Sequence, residues 1–227
     1  MAAKTREVRF RRLVDLSQEI SPDTPMFPAY PAPAFTPWTT REVHGFLAET
    51  LFLVSHTGTH VDAPFHFEPT GKKVDEFPLD QFLAPGHVLD LPGPAPRASV
   101  EAPDLRTARK AAGRSVHPGN AVLIRTGWER TRGTPGYLHE NPGLGRSAAK
   151  ELVDWGVSLV GIDSPNLDAA GAVDYPAHHT LLGAGIPVVE NVANLAKLGT
   201  GPFTLVAFPL RLRGTTGSPI RLVALVE

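Results

Sequence analysis

Three of the nine histidines in this 227-residue chain fall within eleven positions, in the segment HTGTHVDAPFH at residues 56–66, beside one aspartate. His56, His60, Asp62 and His66 offer imidazole and carboxylate donors, the kind that hold Zn²⁺, Mn²⁺ or Fe²⁺. All four carry even numbers, so an extended strand would aim them at one face. The same strand would hold His56 and His60 roughly 13 Å apart, at ~3.3 Å per residue. Gly58 lies between them, and glycine tolerates the backbone angles of a turn. His56, His60 and Asp62 are therefore expected to form a first set of metal ligands supported by a bend. Burying so many polar groups without a partner is costly, and the apolar run ETLFLVS at 49–55 reads as a buried strand leading the cluster inward.

A second constellation lies in the C-terminal half. GIDSPNLD (161–168) follows an apolar run, at the end of a strand where α/β proteins commonly place functional groups. YPAHHTLLGAGIPVVENV then brings His178, His179 and Glu190. One of these imidazoles and the carboxylate would complete a metal site begun at His56; a helix cap or surface pair is the competing reading of the two histidines.

Composition bounds the rest. The length suits one domain over residues 1–227 with a substantial core. A net charge of −1 gives no electrostatic case for nucleic acid or an anionic membrane. The apolar runs are far short of a membrane span, and the N-terminus MAAKTREVRFRR lacks an apolar signal core. The chain has no cysteine, hence no thiolate ligand, no disulfide and no Cys nucleophile. These features point to a soluble cytoplasmic protein. They also weigh against a structural zinc protein, whose sites usually saturate with Cys and His.

The elements that must position the cluster alternate along the chain. Strands are expected at 12–17, 87–92, 121–127, 157–163 and around IPVVENV, with two long, paired strands at the C-terminus. Asp104 would cap a helix ending at Gly113, and Ser147 a second one. A Pro-rich stretch at 22–37 reads as an ordered arm over the surface or over a partner subunit. The order is neither strictly βαβ nor all-β, which makes the fold class α/β with a mixed sheet.

HTGTHVDAPFH fits the pattern HxGTHxDxPxH at every fixed position, and DLSQEISPDTPMFPAYP, VLIRTGW, VGIDSPNLD, HHTLLGAGIPVVENVANL and PLRLRGTTGSPIRLVAL extend the match over nearly the whole chain. In these segments the chain resembles the metal-dependent cyclase family that includes bacterial kynurenine formamidase and isatin hydrolase. The resemblance implies a swivelling β/β/α domain. It implies that His56, His60, Asp62, His178 and Glu190 hold metal, with Asp62 bridging and His178 chosen over His179 by its spacing to Glu190. His66 becomes the proton-transferring residue. The implied cofactor is Zn²⁺, one or two ions per subunit, or Mn²⁺.

The implied activity is metal-assisted hydrolysis of a C–N amide bond in a small aryl formamide or cyclic amide. The formamidase case converts N-formylkynurenine to kynurenine and formate, in tryptophan catabolism. Ring opening of isatin and metal-dependent cyclisation or dehydration are the alternatives. A bound divalent ion brings the pKa of water from 15.7 toward ~7, and His66 would relay the proton. Formamidases of the family carry a substrate-stacking Trp where this chain has Val14, which removes a planar contact. Phe27, Phe35, Trp38 and Phe65 are candidates for the replacement wall, and Asp163 and Ser164 for orienting groups or structural caps. The resemblance also implies a homodimer or higher homo-oligomer, with the arm covering a neighbour's pocket.

Overall fold

The computed structural model describes residues 7–91, 93–199 and 201–227. The start of the charged N-terminal segment and the last residue of the strand expected at 87–92 lie outside them. Nine strands form one mixed sheet, in the spatial order Arg12–Asp15, Val223–Val226, Phe203–Val206, Leu83–Asp90, Ala121–Arg125, Leu159–Ile162, Val188–Glu190, His60–Asp62 and Gly217–Pro219. The four strands from Leu83–Asp90 to Val188–Glu190 run parallel, and the pairings on either side of them are antiparallel.

Strand alternation divides the apolar residues between two cores. Val122, Ile124, Val160, Ile162 and Val188 face the helices Ala102–Ala112, Arg146–Asp154 and Pro176–Gly183, which contribute Leu105, Leu152 and Leu181. Leu123, Leu159 and Val189 point to the other face and pack with Val14, Val61, Phe82, Leu205 and Leu222. Residues from widely separated strands meet in this second core, so the sheet curls around it.

The C-terminal strands pair as expected, Phe203 opposite Val226, but the final segment breaks in two: Gly217–Pro219 crosses to the other edge of the sheet. The helix stop at Gly113 is found, with φ +65. Its start differs: Glu101 takes the cap position and Asp104, three residues on, accepts the Glu101 N–H at 2.8 Å. The second helix begins at Gly145 rather than Ser147, whose hydroxyl instead accepts the Ala102 N–H at 3.0 Å and ties the two helix starts together.

The expectation for residues 49–55 fails. Ala48–Phe52 is not a buried strand; it pairs with Ala34–Thr39 in a two-stranded hairpin whose residues are mostly exposed. The hairpin and its tip carry Trp38 (74% exposed), Val43, Phe46, Leu47, Leu51 and Phe52 into solvent. Isolated hairpins are marginal in water, and an apolar one needs cover. No helix among the described residues is long and apolar enough to cross a membrane.

Candidate metal centre

The bend expected at Gly58 is present, with φ +61 at that residue. Thr57 begins it by donating both its N–H and its hydroxyl to Val54 O, at 3.1 and 2.8 Å. An added Cβ at Gly58 would sit 2.8 Å from Ile20 Cγ1, so glycine answers both the dihedral and the space. The turn brings the His56 and His60 rings to 5.1 Å between centroids, edge to face.

Beyond the bend, His60–Asp62 lies between two antiparallel neighbours, His60 opposite both Glu190 and Pro219. Cross-strand partners share a face, so His60, Asp62 and Glu190 all look toward the helix layer. His178 reaches them from the first turn of Pro176–Gly183. Gly217 lets His56 approach: a Cβ there would fall 2.8 Å from His56 Cε1 and 2.6 Å from Val61 O.

Each of three imidazoles is held through one nitrogen and turns the other to the carboxylates. His60 Nδ1 donates to Gly58 O at 2.9 Å, leaving Nε2 3.2 Å from Asp62 and 3.5 Å from Glu190. His178 Nδ1 contacts Asp168 at 2.5 Å, leaving Nε2 3.1 Å from Glu190 and 3.5 Å from Asp62. His56 Nε2 lies 2.9 Å from Thr216 Oγ1, leaving Nδ1 2.6 Å from Asp62. Asp168 also accepts the Ala177 and His178 N–H groups, so one carboxylate caps the helix and orients its histidine. Leu167 N–H donates to Glu190 Oε1 at 2.7 Å.

The electrostatics follow from burying acids against imidazoles. Burial opposes protonation of His60, but the charge and hydrogen bond of Asp62, with Glu190 behind, outweigh it and hold the pKa at about 9. His178 is likewise raised well above its usual value: burial lowers it, and Asp168, Asp62 and Glu190 together win. Asp62 is pushed well below the carboxylate range, burial being overcome by His60, His56 and His178. His66 goes the other way, to about 4, because burial dominates and the attraction of Asp62 is offset by the other imidazoles.

This donor set fits a divalent cation. In the chain alone, protons on His60 and His178 stand where a cation would sit between nitrogens and acids. Among the described residues two groups have donor atoms within 4.8 Å of one another: His56, Asp62 and His66, and His60, Asp62 and Glu190. Asp62 belongs to both, which leaves room for one ion or two.

The centre floors a cavity of about 250 Å³ whose walls include Phe27, Tyr30, Phe67, Leu138 and Tyr175. Phe67 stacks on His178 at 4.6 Å, and Tyr30 lies parallel to His56 at 6.1 Å. Of the four aromatic residues expected there, only Phe27 lines it. Phe35 and Trp38 belong to the exposed hairpin, and Phe65 lies under the Lys73 ammonium. Val14 is 4% exposed within the second core and does not line the cavity.

Asp163 accepts Thr126 N–H, Thr126 hydroxyl and Gly127 N–H, which makes it a structural cap for the turn after Ala121–Arg125. Ser164 Oγ donates to Asn166 O. His179 is half exposed and pairs with Glu68 at 3.1 Å, outside the centre. Asp168, Thr216, Tyr30, Phe67 and Tyr175 were not singled out from sequence. Asp168 ends GIDSPNLD and Tyr175 opens YPAHHTLLGAGIPVVENV, while Tyr30 and Thr216 lie within the segments that carry the family resemblance.

The model of the family described as "Putative cyclase" matches residues 14–169. A kynurenine formamidase of Salinibacter ruber is 33% identical over 225 residues, covering 93% of this chain and 96% of its own. One from Geobacillus thermodenitrificans is 32% identical, covering 92% and 94%. Among solved structures, an isatin hydrolase bound to the product analogue thioisatinate superposes with a TM-score of 0.86 at 27% identity, covering 94% of this chain and 92% of that one. Isatin hydrolase A from Labrenzia aggregata, bound to benzyl benzoate, gives 0.83 at 28%, covering 95% and 93%.

Proposed function

The chain belongs to the putative cyclase family, and on that premise we propose that it is a metal-dependent hydrolase of non-peptide C–N amide bonds, acting on a small aryl formamide in the manner of kynurenine formamidase. The observation that carries this reading is the convergence of three imidazoles, each held through one ring nitrogen, on two buried carboxylates at the floor of an aromatic-walled cavity.

In this reading His56, His60, Asp62, His178 and Glu190 hold Zn²⁺, with Mn²⁺ suited to the same donors. The bound cation would supply positive charge that makes water acidic and polarises the substrate carbonyl. The remaining work falls to the chain. In the metal-free chain burial holds His66 at about 4, so it is a free base at neutral pH, and neither of its ring nitrogens is hydrogen-bonded among the described residues. It stacks on His56 at 4.1 Å and lines the cavity that would hold the substrate. There it takes a proton from the attacking water and returns it to the amide nitrogen, which leaves poorly as an anion. Phe27, Tyr30, Phe67 and Tyr175 give a planar substrate apolar faces and keep bulk water from the carbonyl.

One observation favours a second substrate of the same reaction type. Among the described residues no Lys or Arg lines the cavity, so no side-chain cation there pairs with a substrate carboxylate; an uncharged cyclic amide such as isatin needs no such partner. We also propose that the chain works as a homodimer, each hairpin Ala34–Phe52 burying its exposed apolar residues against a second copy. Metal-loaded protein should be assayed on N-formylkynurenine, isatin, cyclic imides and simple aryl esters, beside quantitative metal analysis. Turnover of N-formylkynurenine or isatin, lost on chelation and restored by metal, is the expected result. Fully metallated protein that turns over no acyl substrate would overturn the reading.

A further inference from the structure

Behind the metal-facing side chains lies a ring of hydrogen bonds that the hydrolytic reading does not use. Tyr137 sits between the helical turn Trp128–Thr131 and the strand Gly143–Leu144, and is 2% exposed. Its hydroxyl donates to Asn191 Oδ1 at 2.6 Å and accepts from Gln18 Nε2 at 2.9 Å. Asn191 Nδ2 donates to Gly58 O at 3.1 Å, the same carbonyl that receives His60 Nδ1–H at 2.9 Å. Thr59 closes the ring, donating from Oγ1 to Asn191 O at 2.6 Å while accepting the Gln18 N–H at 2.8 Å.

The placement is informative. Asn191 directly follows Glu190 and has φ +57, a left-handed conformation that asparagine tolerates but does not prefer. Its amide bridges the turn after one expected ligand to the bend before another. Burial raises the Tyr137 pKa strongly, so the phenol keeps its proton and remains a donor to Asn191.

We infer that Tyr137 is a positioning residue for the cation site: its hydroxyl orients the Asn191 amide, which fixes the Gly58 carbonyl, which holds the His60 proton on Nδ1 and turns Nε2 toward Asp62 and Glu190. The inference rests on the metal-hydrolase reading and extends it to a residue far from the ligands in sequence. Without the hydroxyl, buried Asn191 Oδ1 loses its partner, half-buried Gln18 Nε2 loses its acceptor, and the Asn191 amide is free to turn away from Gly58. Partners that orient a ligating histidine through its far nitrogen commonly change metal affinity by about 10–100-fold.

The test is Tyr137→Phe, which keeps the ring and removes only the hydroxyl. Its Zn²⁺ affinity, measured by competition with a chromophoric chelator, should fall at least tenfold below wild type on that scale, with activity largely restored by excess Zn²⁺. Leu105→Ala, in the helix-side core, should lower Tm and leave Zn²⁺ affinity unchanged. Gln18→Met, which leaves the Tyr137–Asn191 bond in place, should bind Zn²⁺ much like wild type. If Tyr137→Phe is too unstable to assay, Asn191→Gly cuts the same link, keeps the left-handed backbone and must show the same weakening. Wild-type Zn²⁺ affinity in a destabilised Tyr137→Phe, or in Asn191→Gly, overturns the inference alone and makes the phenol purely structural. A wild-type chain that binds no Zn²⁺ overturns the hydrolase reading as well.

Discussion

The hairpin Ala34–Phe52 and the signature segment that follows it, residues 56–66, invert the usual burial rule in opposite directions. The hairpin holds Trp38, Phe46, Leu51 and Phe52 in solvent, whereas the next turn of chain buries His60 and Asp62 to 3% and 1% exposure. Ordinary domains bury the first kind of residue and hydrate the second. The buried side has met its cost within the chain, since each acid faces an imidazole and each imidazole is braced from behind. The exposed side has not: its strands pair with each other and leave their apolar residues uncovered. On the proposed reading both regions await something outside the chain, a cation in one case and a second copy in the other.

Removing function from the buried side should have the largest effect. His66→Ala should leave metal content intact and lower kcat by about 10²–10⁴-fold, the range for losing a proton-transferring group. Full activity in a fully metallated variant would end that role. On the exposed side, Trp38→Glu should move the protein from dimer toward monomer in sedimentation analysis. A large aromatic anchor at an interface contributes about 2 kcal/mol or more, and unchanged association would break the proposed pairing.

The smallest effect concerns protons. In metal-free protein His60 and His178 have raised pKa values, so their stabilisation is complete below the unfolded value near 6.5 and is lost as pH rises through the folded ones. The Tm of the metal-free chain should therefore fall between pH 6.5 and about 9, by on the order of several degrees. Zinc should flatten that slope, because it replaces the same protons. A level or rising Tm in metal-free protein would break the electrostatic account of the centre.

What could be read from sequence was what is local. The His56–His66 spacing, the bend at Gly58 and the apolar strands at 121–125 and 159–162 are set by neighbours a few residues apart. The braces were not legible. Asp168 with His178, Thr216 with His56 and Tyr137 with Asn191 are contacts across 10, 160 and 54 positions, between residue types common in any loop. Residues 49–55 misled for a related reason. An apolar run signals that side chains want cover, and does not say whether the cover comes from the same chain.

Strand His60–Asp62 is three residues long and is sandwiched between segments that arrive some 130 and 160 positions later. Loops of that length close late in folding, because their entropy must be met before the contacts repay it. The ion's pocket is complete only when both later segments have paired with this strand, so uptake of metal would report that those pairings are made. Free cation in excess would then act as a latch, drawing the population toward the completed form by mass action.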